Sequence, residues 1–373
     1  MDRETIGTDR VRLRLFRDSD IDNLMAGCND SLTRRFLPHL SAPYTEADAH
    51  WWISEGTTGV WARGGAAYAI ADPVTDRLIG GIGVDHVVLA RCQGEVGYWV
   101  APWARGRGVA TAATRALADR ALSQGFARLE LLTEQENVAS QRVALASGFR
   151  REGTRRDAGT RPDGSRHDLL AWSRLATDAD TPQARILADL PGGALTDGVV
   201  TLRPLTAADG DFVYDLHCLP DVIAASMSTV APTRADVARR CLLAPARWLA
   251  GERADLLILD AASGDPAGEI ALYLQESQPG EAMIGYAVAP QWRGYGYPGR
   301  ATRLLARWVF DHTGIQRLTA GTAPTNLRSQ RALEKSGFQR EGRERGRLVG
   351  STGRRVDALR YGLLPQDLDL DSR

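Results

Sequence analysis

The chain has 373 residues, 43% hydrophobic and 25% charged, and its 46 basic and 46 acidic side chains balance to a formal net charge of zero. That length suits two domains with a core each, the composition lacks the hydrophobic depletion of a disordered chain, and zero net charge argues against nucleic acid as a main partner. No apolar stretch is long enough to span a bilayer, Met1-Asp2-Arg3-Glu4 is polar, and neither the four cysteines (Cys28, Cys92, Cys218, Cys241) nor the six histidines have metal or redox spacing, so a cytoplasmic chain without a metal is expected.

In chain order, the alternation at Val11–Leu15 predicts a short strand, and Asp18-Ser19-Asp20 is a capping cluster for a helix. Thr45-x-x-Asp48 is a capping-box variant that starts a second helix. Strands follow at Ala67–Ala71, Leu78–Val84 and Glu95–Ala101, with turn residues between them. Arg105-Gly106-Arg107-Gly108 then feeds a helix over Val109–Ser123, whose Ala and Leu spacing gives an apolar face and which Gly125 ends. A strand at Leu129–Thr133, a helix after Asn137, and closing strands around Phe149 and Leu169–Trp172 complete the set.

The whole order then returns, from Val199 to Leu364. Gly97-Tyr98-Trp99-Val100-Ala101-Pro102 reappears 188 residues later as Gly285-Tyr286-Ala287-Val288-Ala289-Pro290, and Arg105-Gly106-Arg107-Gly108 as Arg293-Gly294-Tyr295-Gly296. Asn137, Ser140, Gly148 and Phe149 recur as Asn326, Ser329, Gly337 and Phe338, a shift of 189. So long a period is a duplicated domain. The expected domains are 1–176 and 198–373, with a linker at 177–197 whose apolar stretch Ile186–Leu190 would pack at the seam between them. The acidic tail after Pro365 is expected to fray.

A strand that ends in Ala-Pro and passes through glycines into an Ala-rich helix is suited to an anion. The glycines turn successive amides toward one spot, and the helix N-terminus adds unpaired donors and partial positive charge. A Gly-x-Gly turn alone is weak, since many such turns use glycine for geometry only. Asn137-x-x-Ser140 with Gly148-Phe149 adds a second motif, although an asparagine there also caps a helix and a glycine also ends one.

Together these motifs resemble the GNAT superfamily of acyl-CoA-dependent N-acyltransferases, whose loop pattern is Arg/Gln-x-x-Gly-x-Gly/Ala. Arg105-x-x-Gly108-x-Ala110 matches throughout, and Arg293-x-x-Gly296-x-Pro298 matches except at its last place. The Gly-Tyr strand and the Asn-x-x-Ser helix resemble the branch with the Rim-type ribosomal-protein N-terminal acetyltransferases, over most of each half. The resemblance implies an α/β (α+β) chain of two tandem domains, each a mixed, mostly antiparallel central sheet with flanking helices. It also implies acetyl-CoA as the acyl donor and a primary amine as acceptor, on a peptide or protein N-terminus or a small amino compound. The implied cofactor contacts are Arg105, Gly106, Arg107, Gly108, Val109 and Ala110, with Arg293, Gly294, Tyr295, Gly296 and Tyr297 in the second copy. Backbone at Val100, Ala101, Val288 and Ala289, with Asn137 and Asn326, would hold the pantetheine arm.

Such a transfer needs a base for the ammonium, polarisation of the carbonyl and neutralisation of the leaving thiolate. Glu95, two residues before Gly97-Tyr98, is the candidate base, directly or through water, if partial burial raises its pKa; the plain alternative is an exposed strand glutamate. Many GNAT enzymes place an acidic tyrosine seven residues after the asparagine, where this chain has Ala144 and Leu333. The Rim-like resemblance puts Ser140 and Ser329 in that role, with helix capping as the plain alternative. Met283 stands at the place of Glu95, which leaves Glu281 or Glu269 as substitutes in the second copy. Pro298 stands at the place of Ala110 and has no amide to offer. The first copy is therefore expected to be the better-equipped enzyme.

Trp51, Trp52, Trp61, Tyr98 and Trp99, and Trp248, Tyr273 and Tyr286 in the second half, fall beside the expected acceptor groove but are read mostly as core. Arg155, Arg156, Arg166, Arg345 and Arg355 are candidates for a phosphate or an acidic acceptor, or simply a solvated face. A tandem pair can mimic the dimers of single-domain relatives, so a monomer is expected. The rival reading is a non-catalytic CoA-sensing or scaffolding protein.

Overall fold

The computed structural model describes residues 1–161, 163–225, 230–274, 279–350 and 353–368, and divides into two compact units, Met1–Ala184 and Arg185–Arg373. The first holds strands β1 (Ile6–Gly7), β2 (Arg12–Arg14), β3 (Ala66–Ala71), β4 (Leu78–Val88), β5 (Gln93–Val100), β6 (Arg128–Glu134), β7 (Arg150–Thr160) and β8 (Arg166–Leu175). Its helices are α1 (Ile21–Cys28), α2 (Ser31–Phe36), α3 (Glu46–Trp51), α4 (Thr57–Ala62), α5 (Val109–Ser123) and α6 (Val138–Ala146). The eight strands form one sheet in the order β1-β2-β3-β4-β5-β6-β8-β7, in which only β5 and β6 pair in parallel.

The second unit repeats the plan with β9 (Leu195–Thr196), β10 (Val200–Pro204), β11 (Arg253–Asp260), β12 (Pro266–Tyr273), β13 (Glu281–Val288), β14 (Arg317–Thr322), β15 (Gln339–Val349) and β16 (Arg355–Leu363). The strand order corresponds one for one, and β13 and β14 are its parallel pair. Its helices are α7 (Gly210–His217), α8 (Pro220–Ala225), α9 (Arg234–Leu249), α10 (Tyr297–His312), α11 (Leu327–Glu334) and α12 (Pro365–Leu368). The expected architecture, two mixed and mostly antiparallel sheets flanked by helices, is the observed one.

Strand alternation sends side chains to two different cores. Val96 of β5 joins Leu129, Leu131, Leu170 and Trp172 against Val109, Ala113, Leu117 and Ala121 of α5 and Ala144 of α6. The four α5 positions recur every four residues and so form one stripe, and burying Leu117 completely contributes ~1.5–3 kcal/mol. The opposite face carries Leu24 and Cys28 of α1 and Ala49 of α3, with Trp52 and Trp99 packed against them. Gly81 makes room for that indole, because a Cβ there would sit 2.6 Å from the Trp99 nitrogen.

Three expectations change. The linker is divided between the units: the Gln183 amide bonds the Leu145 carbonyl of the first at 2.9 Å, whereas Leu187 and Leu190 are buried in the core of the second. The residues after Pro365 begin with a helical turn that buries Leu368; the rest of the tail lies outside the described residues. Trp51 is 59% exposed and is not core.

Candidate active site

β5 and β6 pair at Gln93 with Arg128, Gly94 with Leu129 and Glu95 with Glu130. Beyond that point β5 continues to Val100 and β6 to Glu134 without pairing, so a gap opens between two parallel strands. The Ala101 amide bonds the Ile79 carbonyl at 2.9 Å, and its own carbonyl accepts from Ala104. Because an antiparallel ladder alternates, the backbone groups of Tyr98 and Val100 turn the other way, into the gap. In the second unit the Ala289 amide is held by Ala267 at 2.9 Å, and Tyr286 and Val288 face the gap. The Ala101 and Ala289 amides, expected to serve a pantetheine arm, already have backbone partners, whereas the backbone groups of Tyr98 and Tyr286 face the gap.

At the end of β5 the loop turns into α5 through Gly106 (φ 73°) and Gly108 (φ 75°), left-handed conformations that favour glycine. The first bond within the helix runs from the Ala112 amide to the Gly108 carbonyl at 3.0 Å, so the amides of Val109, Ala110 and Thr111 precede it and are open to an anion. A Cβ at Gly106 would meet nothing within 4 Å, and the residues fit a pyrophosphate group. The loop arginine does something else: Arg105 Nε donates to the Val100 carbonyl at 3.0 Å, and Nη2 reaches Thr33 at 2.8 Å and the Asp30 carboxylate. Arg293 repeats this with the Val288 carbonyl and Asp221. Both side chains, expected as cofactor contacts, thus clamp the strand end. Arg10 also reaches the loop: its Nη1 donates to the Arg107 carbonyl at 3.2 Å and lies 3.5 Å from where a Gly108 Cβ would stand.

The two faces of β5 carry different chemistry. Glu95 shares the face of Trp99 and stands in register between Asp85 of β4 and Glu130 of β6, three carboxylates abreast. Burial pushes the Glu95 carboxyl up; His86 and Arg155 pull against this, while Glu130 and Asp85 add to it. Burial also acts to raise Glu130, but hydrogen bonds from Arg155 at 2.6 Å and Arg128 at 2.9 Å prevail and hold it down. Arg155 is thereby accounted for, and Arg166 and Arg355 bond carbonyls of their own hairpins.

Tyr98 lies on the opposite face, and its hydroxyl is 2.8 Å from Ser140 Oγ. Asn137 Oδ1 caps α6 by accepting the Ser140 amide at 3.0 Å, which fixes Ser140 in the first turn. The second unit reproduces the set: Tyr286 and Ser329 hydroxyls at 3.0 Å, and Asn326 on the Ser329 amide at 3.1 Å. The oxygens of both asparagines are committed to capping, so only their amide nitrogens are left for a pantetheine arm. Ala144 and Leu333 are core.

The second unit departs on the other face. Met283 pairs with Thr319 where Glu95 pairs with Glu130. Glu281, a proposed substitute, is tied to Arg317 at 3.1 Å and to Arg360 at 3.3 Å, before the gap begins. Burial acts to raise Glu269, but His217 and Arg240 hold it well below the usual carboxylate range. Glu269, held down in this way, is not placed to take up a proton near neutral pH. Tyr295 is 69% exposed where the first loop has Arg107, Tyr297 is buried with its hydroxyl on Asp260, and Pro298 removes one of the three first-turn donors of α10.

A model of the acetyltransferase (GNAT) domain matches residues 10–150 and again 200–339. The chain belongs to the GNAT acetyltransferase family. Of its relatives in Bacillus subtilis (strain 168), "Putative ribosomal N-acetyltransferase YdaF" is 33% identical over 139 residues, 36% of this chain and 74% of YdaF. "Probable N-acetyltransferase YjcK" is 41% identical over 61 residues, 16% of this chain and 34% of YjcK, so the match spans about a third of that relative's length. Among solved structures, RimJ of Mycobacterium smegmatis in complex with CoA-disulfide aligns with 47% of this chain and 88% of its own, at 22% identity and a TM-score of 0.43.

In this GNAT chain the loop, Glu95 and Ser140, all expected as site residues, lie at or beside the point where β5 and β6 separate. The sequence reading missed Arg10, Glu130 and the Glu134–His167 pair at 3.4 Å. A signal existed for the acids: Glu130, Glu134 and His167 align at the same 189 shift with Thr319, Ala323 and Val356, so they are lost together with Glu95. No helix among the described residues is long and apolar enough to cross a membrane.

Proposed function

We propose that the first copy transfers an acetyl group from acetyl-CoA to a primary amine, on a peptide or protein N-terminus or a small amino compound. The observation that carries this is the placement of Glu95 and Ser140 on opposite sides of one unpaired strand end. A direct transfer needs a base where the amine enters and a proton donor where the sulfur leaves. Acetyl-CoA supplies the activated acyl group. The amides of Val109, Ala110 and Thr111, with Arg10 and Arg107, hold its phosphates, and the Tyr98 and Val100 amides align the pantetheine arm.

Glu95, kept basic by burial and by its carboxylate neighbours, removes the proton from the attacking amine. The N–C bond forms as the C–S bond breaks, Ser140 gives its proton to the sulfur, and solvent restores both side chains. The second copy keeps the Tyr–Ser pair but lacks the base, one loop cation and one amide, which supports a non-catalytic role for it, and with both sheets in one chain we read the protein as a monomer. The domains run 1–176 and 198–373 in this reading.

Calorimetric titration with acetyl-CoA, followed by Glu95→Gln, tests it. One strong site with undiminished affinity and lost turnover in the variant supports the assignment. Unchanged turnover removes Glu95 from the mechanism, and wild-type chain that binds acetyl-CoA yet acetylates no amine favours the sensing alternative.

A further inference from the structure

We propose that Tyr98 is a positioning residue: its phenol donates to Ser140 Oγ, and this turns the Ser140 proton toward the sulfur of the bound cofactor. The inference rests on the cofactor reading above. Among the described residues Ser140 is the hydrogen-bond partner of the Tyr98 hydroxyl, at 2.8 Å. Either oxygen can donate in principle, and the two directions have different consequences. A serine hydroxyl has one proton and two lone pairs. If Ser140 donated to the phenol, its one proton would be occupied and nothing would be left for a leaving group. If the phenol donates, the serine proton is free and its direction is limited by the bond already accepted.

Three observations favour the second direction. The Asn137 cap holds the Ser140 amide at 3.0 Å, so the hydroxyl swings about a fixed first turn of α6. Burial pushes the Tyr98 phenol up, so it keeps its proton, and a buried O–H without an acceptor is unfavourable. The second unit repeats the pair, with the Tyr286 and Ser329 hydroxyls at 3.0 Å and a phenol likewise pushed up by burial, and there the phenol also donates to the Ser329 carbonyl at 3.3 Å. The pair stands there although Met283 has replaced the base, so it does not depend on Glu95. Tyr98 thus acts through Ser140 and makes no bond to the reacting atoms.

The test uses the full chain with Ser329→Ala, loaded with CoA, and follows the S–H stretching band of the bound thiol against pH by Raman difference spectroscopy. A hydrogen bond donated to the thiolate favours the ionised form. The bound thiol is expected to ionise about one pH unit below free CoA, a tenfold change in its constant. Ser140→Ala should abolish that shift. Tyr98→Phe should remove at least half of it, and should add nothing in the Ser140→Ala background. Replacing Tyr98 with 3-fluorotyrosine, a stronger donor of the same shape, should lower the ionisation further and guards against a misfolded phenylalanine variant. A wild-type titration in Tyr98→Phe, an additive double variant, or an upward shift with 3-fluorotyrosine overturns the inference. If the wild-type chain binds no CoA at all, the cofactor reading itself fails, a result distinct from any of these.

Discussion

Glu95 and Glu130 stand side by side at the last paired position before β5 and β6 separate. The two carboxylates share a face but are shifted in opposite directions: Arg128 and Arg155 bracket Glu130, while Glu95 has His86 at 4.0 Å and the weaker pull of Arg155 against its burial. A buried acid next to a fixed negative charge binds its proton more tightly. The arginines that neutralise Glu130 limit this effect without cancelling it.

The first prediction concerns pH. Glu95 works as a base only when ionised, so kcat/KM should rise with pH through a midpoint above the usual glutamate range, and Glu95→Gln should lower kcat by about 10²- to 10⁴-fold. Glu130→Gln removes a neighbour that raises the Glu95 pKa and takes a carboxylate partner from Arg155, so the same limb should move to lower pH. A pH–rate profile on the two proteins decides the sign, and movement to higher pH contradicts the coupling.

Cofactor affinity should respond oppositely in the two copies. Arg10→Ala should weaken the first site by about tenfold, as expected for one lost charged contact to phosphate. Pro298→Ala restores a first-turn amide to α10 and should tighten the second site by about ten- to a hundredfold. Two-site calorimetry with acetyl-CoA separates these effects, and no change at either site removes the loop amides from the argument.

Asn137→Ala takes away the cap of α6 and should cost about 0.5–2 kcal/mol of stability. It also frees the turn that fixes Ser140, so kcat should fall more than the KM for acetyl-CoA rises. Asn137→Asp, which still accepts the Ser140 amide, should restore most of the stability. Thermal melts beside steady-state kinetics check both parts.

The buried charges of the second unit set its acid limit. Glu269 has a folded pKa held below its unfolded value by His217 and Arg240. It therefore contributes stability that is fully present above the unfolded value near 4.5 and is lost as pH falls through the folded one. Arg240→Met leaves Glu269 and Asp255 buried without that partner and should destabilise by about 3–5 kcal/mol near neutral pH. Urea titrations from neutral pH downward, on wild type and variant, should converge as the acid range is entered.

How much of this was legible in the sequence follows from what local pattern can encode. Val109–Ser123 was exact because its stripe and its glycine stops are local. The loop was legible because the chain states its motif twice, and Glu95 because it stands two residues before the repeated Gly-Tyr. Arg10 was not, because it reaches the cradle from 97 positions away along the chain. The clamp of Arg105 on Val100 was not legible, since spacing says that a cation is near the loop but not which way it turns. Leu187 and Leu190 were assigned to a seam because hydrophobicity shows that a segment is buried without showing against what.

That clamp has a mechanical consequence. Arg105 joins Asp30 and Thr33, which open α2 on the Trp99 face, to the carbonyl at the tip of β5 on the side of the phosphate loop. Any tilt of α2 when an acceptor seats against that face is carried by one guanidinium to the carbonyl beside the Val100 amide. On the proposed reading, any change in cofactor affinity that an acceptor causes through this clamp must be matched by an equal change in acceptor affinity caused by the cofactor.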